Sequence, residues 1–149
     1  MVVHNPNNWH WVEKNCLPWA KSYFQEVLPN TTQKNEVYEI VVTSVDLVDG
    51  DCDVTQRKGV TKCIFDLKIQ VSATAKVNRD SEVEEITYTV TLPELVHDQD
   101  EDEYEYVIEG DLNHKSQIRK LLTPSLTEKL SKFQQALIDA HTQDVQHST

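Results

Sequence analysis

Glycine is scarce in this sequence, with three glycines and five prolines among 149 residues. Phosphate-binding loops and flexible linkers both rely on closely spaced glycines, so neither is expected. The sequence also lacks a run of roughly 20 apolar residues, which a membrane-spanning helix requires, and a basic-then-apolar signal region at its start. We therefore expect a single domain over residues 1–149, located in the cytoplasm, with entry to the nucleus left open.

Positive charge is scarce as well. The chain has 14 Lys and Arg against 25 Asp and Glu, which gives a formal net charge of -11. Such a charge repels the phosphates of nucleic acids and anionic lipid head groups, so neither nucleic acid nor membrane is an expected partner. The same charge speeds association with a basic protein surface.

Cysteine is limited to three positions, Cys16, Cys52 and Cys63, an odd number without a Cys-x-x-Cys pair. These positions fall where apolar helix or strand residues would serve equally well. We interpret them as buried thiols in a reducing compartment, because a domain of this length needs no disulfide to hold its core.

The spacing of apolar residues predicts a first helix and four strands. Residues 15–28 place apolar side chains every three or four positions, which is typical of an amphipathic helix, here capped by Asn15. The predicted strands are 36–51, ended by a turn at Asp49-Gly50-Asp51; 52–77, broken or bulged at Gly59; 85–93, ended by Pro93; and the weaker 103–110.

A helical stripe follows Gly110 and runs from Ile118 to His141. Pro124 either starts this helix or kinks a longer one that begins near Ser116. The order of elements implies an α+β domain with an N-terminal helix, a four-stranded antiparallel meander sheet and a C-terminal helix, the helices covering one face of the sheet.

The second predicted strand alternates between apolar and polar residues from Cys63 to Val77, so one face is expected to pack in the core and the other to be exposed to solvent. Ile64 is an exception, because it falls on the solvent face between Lys62 and Asp66. Cover by a loop and contact with a partner explain this isoleucine about equally well.

Enzyme motifs are missing, since the sequence has no nucleophile elbow, no phosphate loop and no His-Glu-x-x-His zinc motif. The acidic run 97–105 is either a solvated strand connection or an electrostatic patch for a basic partner. A metal-dependent hydrolase built on Glu94, Asp98 and Asp100 is a remote alternative. We therefore predict no enzymatic activity, no cofactor and no metal.

Two stretches point to a partner protein. The first, DCDVTQRKG at 51–59, places Arg57 and Lys58 in a bulged turn and makes a local basic patch on an acidic protein. The second, NPNNWHW at 5–11, sets two tryptophans among turn-forming asparagines. Two tryptophans are costly to leave in water, so this segment either fixes the terminus to the domain or is offered to a partner.

These motifs resemble the amino-terminal domain of the activator of heat-shock protein 90 ATPase, a family of co-chaperones. The resemblance rests on NPNNWHWVEKN near the start, GDCDVTQRKG followed by FDLKI in the middle, and LPELVHD before the fourth strand. It covers essentially the whole chain. The chain is more similar to the short, single-domain members than to the long ones, which carry a linker and a second domain.

The resemblance implies a regulator that docks on the middle segment of the chaperone, reshapes the loop with its catalytic arginine and promotes ATP turnover. An effector motif would act on the nucleotide-binding segment. Carried over residue by residue, partner binding falls on Asp51, Arg57, Lys58, Ile64, Glu94, His97 and Asp98, and the effector motif on Asn5, Asn7, Asn8, Trp9, His10 and Trp11. Val60 departs from the family, which often has a lysine at this position.

The alternative interpretation is a carrier of a lipid or another small ligand, because a helix-capped sheet can enclose one. No motif supports it. We expect the protein to act as a monomer in either case.

Overall fold

The computed structural model describes residues 12–57 and 59–147, and the side chains of 13–56 and 59–142 within them. Its elements are β1 (Val12–Asn15), α1 (Leu17–Val27), β2 (Thr32–Lys34), β3 (Tyr38–Arg57), β4 (Val60–Arg79), β5 (Glu82–Val96), a 3₁₀ turn (Glu101–Glu103), β6 (Val107–Glu109), α2 (Lys115–Ser131) and α3 (Phe133–His147). Over these ranges, no helix combines the length and the apolar character needed to cross a bilayer.

One antiparallel sheet forms the frame of the domain, with strand order β1-β3-β4-β5-β6 and β2 paired with β3 as well. β3 and β4 are each 20 residues long and pair as a hairpin along nearly their whole length. Both are rich in β-branched residues, which suit a pleated, half-buried surface. The predicted α+β fold is confirmed, but the described chain has six strands where the sequence predicted four.

The two additional strands, β1 and β2, are short. β1 pairs with the end of β3, where Val12 lies opposite Gln56, and β2 pairs with its start, where Thr32 lies opposite Val41. Three or four residues are too few to show an alternating pattern, so periodicity could not predict these two strands. α1 connects the two strands and packs along β3.

α1 is shorter than the predicted 15–28, because its N-cap position is Cys16. Asn15 still takes part in the capping, since its side-chain oxygen accepts the amide of Leu17 at 3.0 Å. With Asn15 as the N-cap, the helix would begin at Cys16, but it begins one residue later, at Leu17.

The hydrophobic core lies between the sheet and the helices. Alternate side chains of β4 are buried from Cys63 to Val77, as predicted. Phe133 of α3 packs against Phe24 of α1 and Phe65 of β4, with ring centroids 4.7 and 5.0 Å apart. The other side of the sheet, termed the polar face and defined by the even-numbered residues of β4, is left to solvent.

The turn predicted at 49–51 is wrong, because β3 runs through it without a break. Gly50 has a φ of +123°, and a Cβ there would collide with the carbonyl oxygen of Asp66 on β4. The glycine therefore permits a close approach of two strands rather than a reversal of the chain.

The chain reverses instead at Gly59, which the sequence placed at a break or bulge within one strand. Arg57 and Val60 form the last pair of the β3–β4 hairpin, and Gly59 between them has a φ of +82°. This left-handed conformation is one that glycine adopts without steric cost.

β5 continues to Val96, beyond the predicted end at Pro93. The pairing with β4 shifts at this point, because Pro93 and Glu94 together occupy the place opposite Lys68. Such a β-bulge tolerates the missing amide of a proline, so Pro93 interrupts the register without ending the strand.

The fourth predicted strand, 103–110, is confirmed over Val107–Glu109 alone. Glu103 ends the 3₁₀ turn instead, in which three consecutive acidic residues occupy the first turn. Acidic side chains are favourable at the start of a helical turn, which explains why this stretch is not extended.

The final helical segment consists of two helices in the described chain. α2 begins at Lys115 and passes through Pro124, so the interpretation of a longer helix that includes the proline agrees with the structure. Proline cannot donate to the preceding turn, and the hydroxyl of Thr123 donates to the carbonyl of Arg119 at 2.8 Å beside it. The break that the sequence did not predict falls at Lys132.

Candidate partner-binding surface

The predicted docking residues of the β3–β4 hairpin lie on the polar face. Asp53 lies opposite Ile64, and Asp51 lies opposite Asp66 at the next position along this face. Ile64 leaves 55% of its surface exposed, and Val60, further along the same face, leaves 56%. Two exposed branched side chains on one strand, bordered by carboxylates, form a surface suited to contact with another protein.

The basic turn lies at the tip of this hairpin. Arg57 ends β3, where its backbone pairs with Val60 of β4. The side chain of Arg57 and all of Lys58 lie outside the described residues. Lys62 is the next base along β4, where it is exposed opposite Thr55.

The effector motif also lies outside the described residues: Asn5, Asn7, Asn8, Trp9, His10 and Trp11. The described chain begins at Val12, which pairs with Gln56. Because β1 runs antiparallel to β3, its start lies at the end of the sheet that carries the hairpin turn. The described chain therefore starts beside the turn of the β3–β4 hairpin.

Glu94 reaches the surface through the bulge of β5. It is exposed and shares with Pro93 the position opposite Lys68. Lys68 also lies opposite Asp49 on its other side. A base on the polar face thus stands between acidic residues of both neighbouring strands.

His97 and Asp98 are neighbours in sequence but differ in environment. The amide of His97 donates to the carbonyl of Phe65 at 3.2 Å, and the two rings meet edge-on with centroids 6.0 Å apart. Phe65 belongs to the core, so the imidazole is directed away from the face that carries Ile64. His97 is half-buried, whereas Asp98 is exposed.

The loop after β5 contains a side chain that sequence reasoning missed. Gln99 accepts the amide of Val96 at 3.1 Å and donates to the carbonyl of Glu103 at 3.2 Å. A capping box between Asp100 and Glu103 closes the same loop. An acidic cap residue followed by a glutamate three positions later was the sequence signal for this capping box, but it did not point to Gln99.

A groove of about 570 Å³ lies between this loop and β5. Its lining residues are Pro93, Glu94, Gln99, Asp102, Glu103 and Glu105. Its carboxylates make the groove a complement to basic rather than acidic groups.

The acidic residues do not assemble the trio considered for a hydrolase. Among the described residues, the one group of three carboxylates whose oxygens all lie within 4.8 Å of one another is Asp100, Asp102 and Glu103, and all three are exposed. Glu94 and Asp98 are not members of this group. The hydrolase alternative therefore loses its geometric basis.

The thiols offer no nucleophile. Cys16, Cys52 and Cys63 are buried and not disulfide-bonded, as predicted. Burial raises the pKa of Cys52 to about 12 and also raises the pKa of Cys63. A thiol that stays protonated near neutral pH is inert, so Cys52 and Cys63 are not nucleophiles, and burial places all three cysteines in the core.

Comparison with known proteins defines the class. The family model described as "Activator of Hsp90 ATPase, N-terminal" matches residues 13–141. The chain belongs to this family, which confirms the resemblance found in its motifs.

Particular relatives refine this assignment. The Hsp90 co-chaperone HCH1 of Saccharomyces cerevisiae is 37% identical over 98% of this chain and 99% of its own length. The Hsp90 co-chaperone AHA1 of the same organism is 36% identical over 98% of this chain but 44% of its own length. The chain thus spans nearly all of HCH1 and less than half of AHA1.

Solved structures share the fold. The crystal structure of Aha-1 from Plasmodium falciparum superposes with a TM-score of 0.72 at 23% identity, covering 89% of this chain and 90% of the other. The solution structure of the human Aha1 N-terminal domain gives a TM-score of 0.67 at 19% identity, covering 89% and 99%.

Proposed function

We propose that this chain is a cytoplasmic co-chaperone that binds the middle segment of Hsp90 and modulates its ATPase cycle, without enzymatic activity of its own. The observation that carries the proposal is Ile64, exposed on the polar face among charged residues. The names of HCH1 and AHA1 as Hsp90 co-chaperones supply the partner.

The docking surface combines an apolar centre with charges of both signs. Ile64 and Val60 supply apolar area, and Asp51, Glu94 and Asp98 are exposed carboxylates near one end of the sheet. Apolar contacts contribute affinity, whereas the surrounding charges select the partner and speed the encounter. With the exposed bases Lys62 and Lys68 of β4, this surface would fit a partner that carries both basic and acidic groups.

Modulation of the ATPase cycle requires more than binding. A regulator must bind one conformation of Hsp90 better than another, because equal affinity shifts no equilibrium. About 1.4 kcal/mol of differential binding shifts the populations tenfold. We assign this second contact to the effector motif, since Val12 connects it to the fold at the end of the sheet where the β3–β4 hairpin turns.

A change at Ile64 tests the docking surface. Ile64→Ser should weaken binding to purified Hsp90 about fivefold or more, because truncating an apolar anchor at the centre of an interface costs more than about 1 kcal/mol. Val83→Ser is the matched control, since Val83 is 62% exposed on the same face at the far end of β4 and β5. Calorimetric titration measures both, and equal affinities of Ile64→Ser and wild type would refute the proposed surface.

A change at Trp11 tests the effector motif. Trp11→Ala should leave the affinity for Hsp90 within about twofold and abolish most of the change in ATP turnover, because docking and modulation then use separate residues. Hsp90 ATP turnover is measured with the variant at saturating concentration. Loss of binding by a folded variant would show that the motif docks rather than modulates.

The carrier alternative is not favoured. The apolar void between the sheet and the helices measures about 10 Å³. That is room for about one water molecule, whereas small-molecule sites measure roughly 300–1,000 Å³. The part of the core between Leu28, Ile69 and Tyr106 is therefore filled by its own side chains.

A further inference from the structure

The side chain of Gln99 bridges the two ends of the loop that contains Asp98. The Gln99 oxygen accepts the amide of Val96 at 3.1 Å, and the Gln99 nitrogen donates to the carbonyl of Glu103 at 3.2 Å. The backbone amide of Gln99 also donates to the carbonyl of Val96 at 3.1 Å. Gln99 thus joins the end of β5 to the end of the 3₁₀ turn.

Asp98 lies between two anchored neighbours. On one side, His97 is held by the bond from its amide to the carbonyl of Phe65. On the other side, Gln99 makes the bonds just described, and both of these neighbours are half-buried while Asp98 is exposed. The backbone on both sides of Asp98 is therefore held by hydrogen bonds, while its carboxylate is exposed to solvent.

The negative charge of this loop favours an extended chain, which the bonds of Gln99 oppose. Six of the eight residues from 98 to 105 are acidic. Like charges on adjacent side chains repel one another and favour an extended, mobile chain. The neutral carboxamide of Gln99 bridges this segment without adding a charge, so it opposes the spreading of the loop.

We infer that Gln99 is a positioning residue for docking, which fixes the backbone of the loop so that the Asp98 carboxylate is placed for contact with the partner. This inference rests on the proposed function, because Asp98 docks only if this surface binds Hsp90. A group that is ordered before binding avoids the entropic cost of being ordered in the complex. Gln99 acts through Asp98 and does not contact the partner.

A double-mutant cycle in the full chain tests this role. Gln99→Met keeps the length of the side chain and removes its donor and acceptor, and it should weaken binding to purified Hsp90 about fivefold. Asp98→Asn should weaken binding to a similar extent. The double variant should bind like Asp98→Asn alone, because Gln99 has nothing left to position.

Two further variants complete the design. Gln135→Met is the matched control, since Gln135 donates at 2.8 Å to Asp139 on its own helix, α3, and the loss of this bond should not change affinity. Gln99→Asn keeps the carboxamide donor and acceptor on a side chain that is one methylene shorter. It should give an affinity between those of wild type and Gln99→Met. It serves as the test variant if Gln99→Met does not fold.

The outcomes are distinct. If the Gln99 change weakens binding by the same factor with and without the Asp98 carboxylate, Gln99 acts on stability or on the partner directly and the inference fails. It also fails if Asp98→Asn weakens binding and the Gln99 change does not, or if neither does. Failure of the wild-type chain to bind Hsp90 would overturn the proposed function, whereas the other outcomes leave it standing.

Discussion

Lys129 of α2 shows how a single charged residue joins two helices. Its ammonium group donates to the carbonyl of Val27 at 3.0 Å and to the hydroxyl of Thr31 at 2.8 Å. Val27 ends α1, where carbonyls lack amide partners and the helix carries partial negative charge. Lys129 of α2 therefore supplies a hydrogen-bond donor to a carbonyl at the C-terminus of α1.

Lys129→Met should lower the free energy of unfolding by about 2 kcal/mol, because methionine keeps most of the apolar stem and removes the charged donor. Urea unfolding followed by tryptophan fluorescence measures the loss. Lys132→Met is the control, since the Lys132–Glu128 pair is 3.5 Å apart with side chains 68% and 71% exposed. Its effect should stay within about 0.5 kcal/mol, and equal losses in the two variants would contradict the bridging role of Lys129.

Residues of the candidate surface differ in how far the sequence could predict them. Ile64 was predictable, because strict alternation of period two assigns it to the polar face, where it is 55% exposed. Gln99 was not, because its two bonds depend on a loop conformation that no periodicity describes. Local patterns identify which face a residue occupies, whereas bonds across a loop require the tertiary structure.

At the scale of elements, the bulge of β5 decides which candidates face the partner. Leu92 is buried, so uninterrupted alternation would direct Glu94 into the core and His97 to the polar face. The residue inserted at the bulge reverses this assignment, and Leu95 is buried instead. A shift by one residue moves every following side chain to the other face, and periodicity alone cannot locate such a shift.

The two ends of the polar face differ in their charge pairing. At one end, opposite charges alternate across four strands: Lys34, Glu39, Lys76 and Glu85. At the hairpin end, Asp51 and Asp66 lie directly opposite each other. Opposite charges stabilise cross-strand pairs and like charges destabilise them. The end with Lys34, Glu39, Lys76 and Glu85 is therefore stabilised by its charges. The Asp51–Asp66 pair departs from that rule, as functional surfaces commonly do.

At the scale of the whole molecule, buried weak acids set a limit to stability at alkaline pH. Burial, with a smaller contribution from the neighbouring thiols Cys16 and Cys63, raises the pKa of Cys52 from 9.0 to about 12. Burial also raises the pKa of Tyr88 and Tyr106 from 10.0 to about 12. The folded protein therefore keeps protons that the unfolded chain releases. Their contribution to stability is complete below pH 9 and is lost as the pH rises through about 12.

Substitution of Cys52 separates this effect from simple loss of packing. Both Cys52→Ala and Val54→Ala remove buried atoms from the same strand, so both should lower the free energy of unfolding at pH 8.5. Between pH 8.5 and 10.5, wild type and Val54→Ala should lose roughly 2 kcal/mol more than Cys52→Ala, because 1.5 pH units above the unfolded pKa correspond to that energy for one thiol. Urea titrations at the two pH values measure the difference. Equal losses in the two variants would show that the Cys52 thiol does not set the alkaline limit, and the buried tyrosines would then account for it.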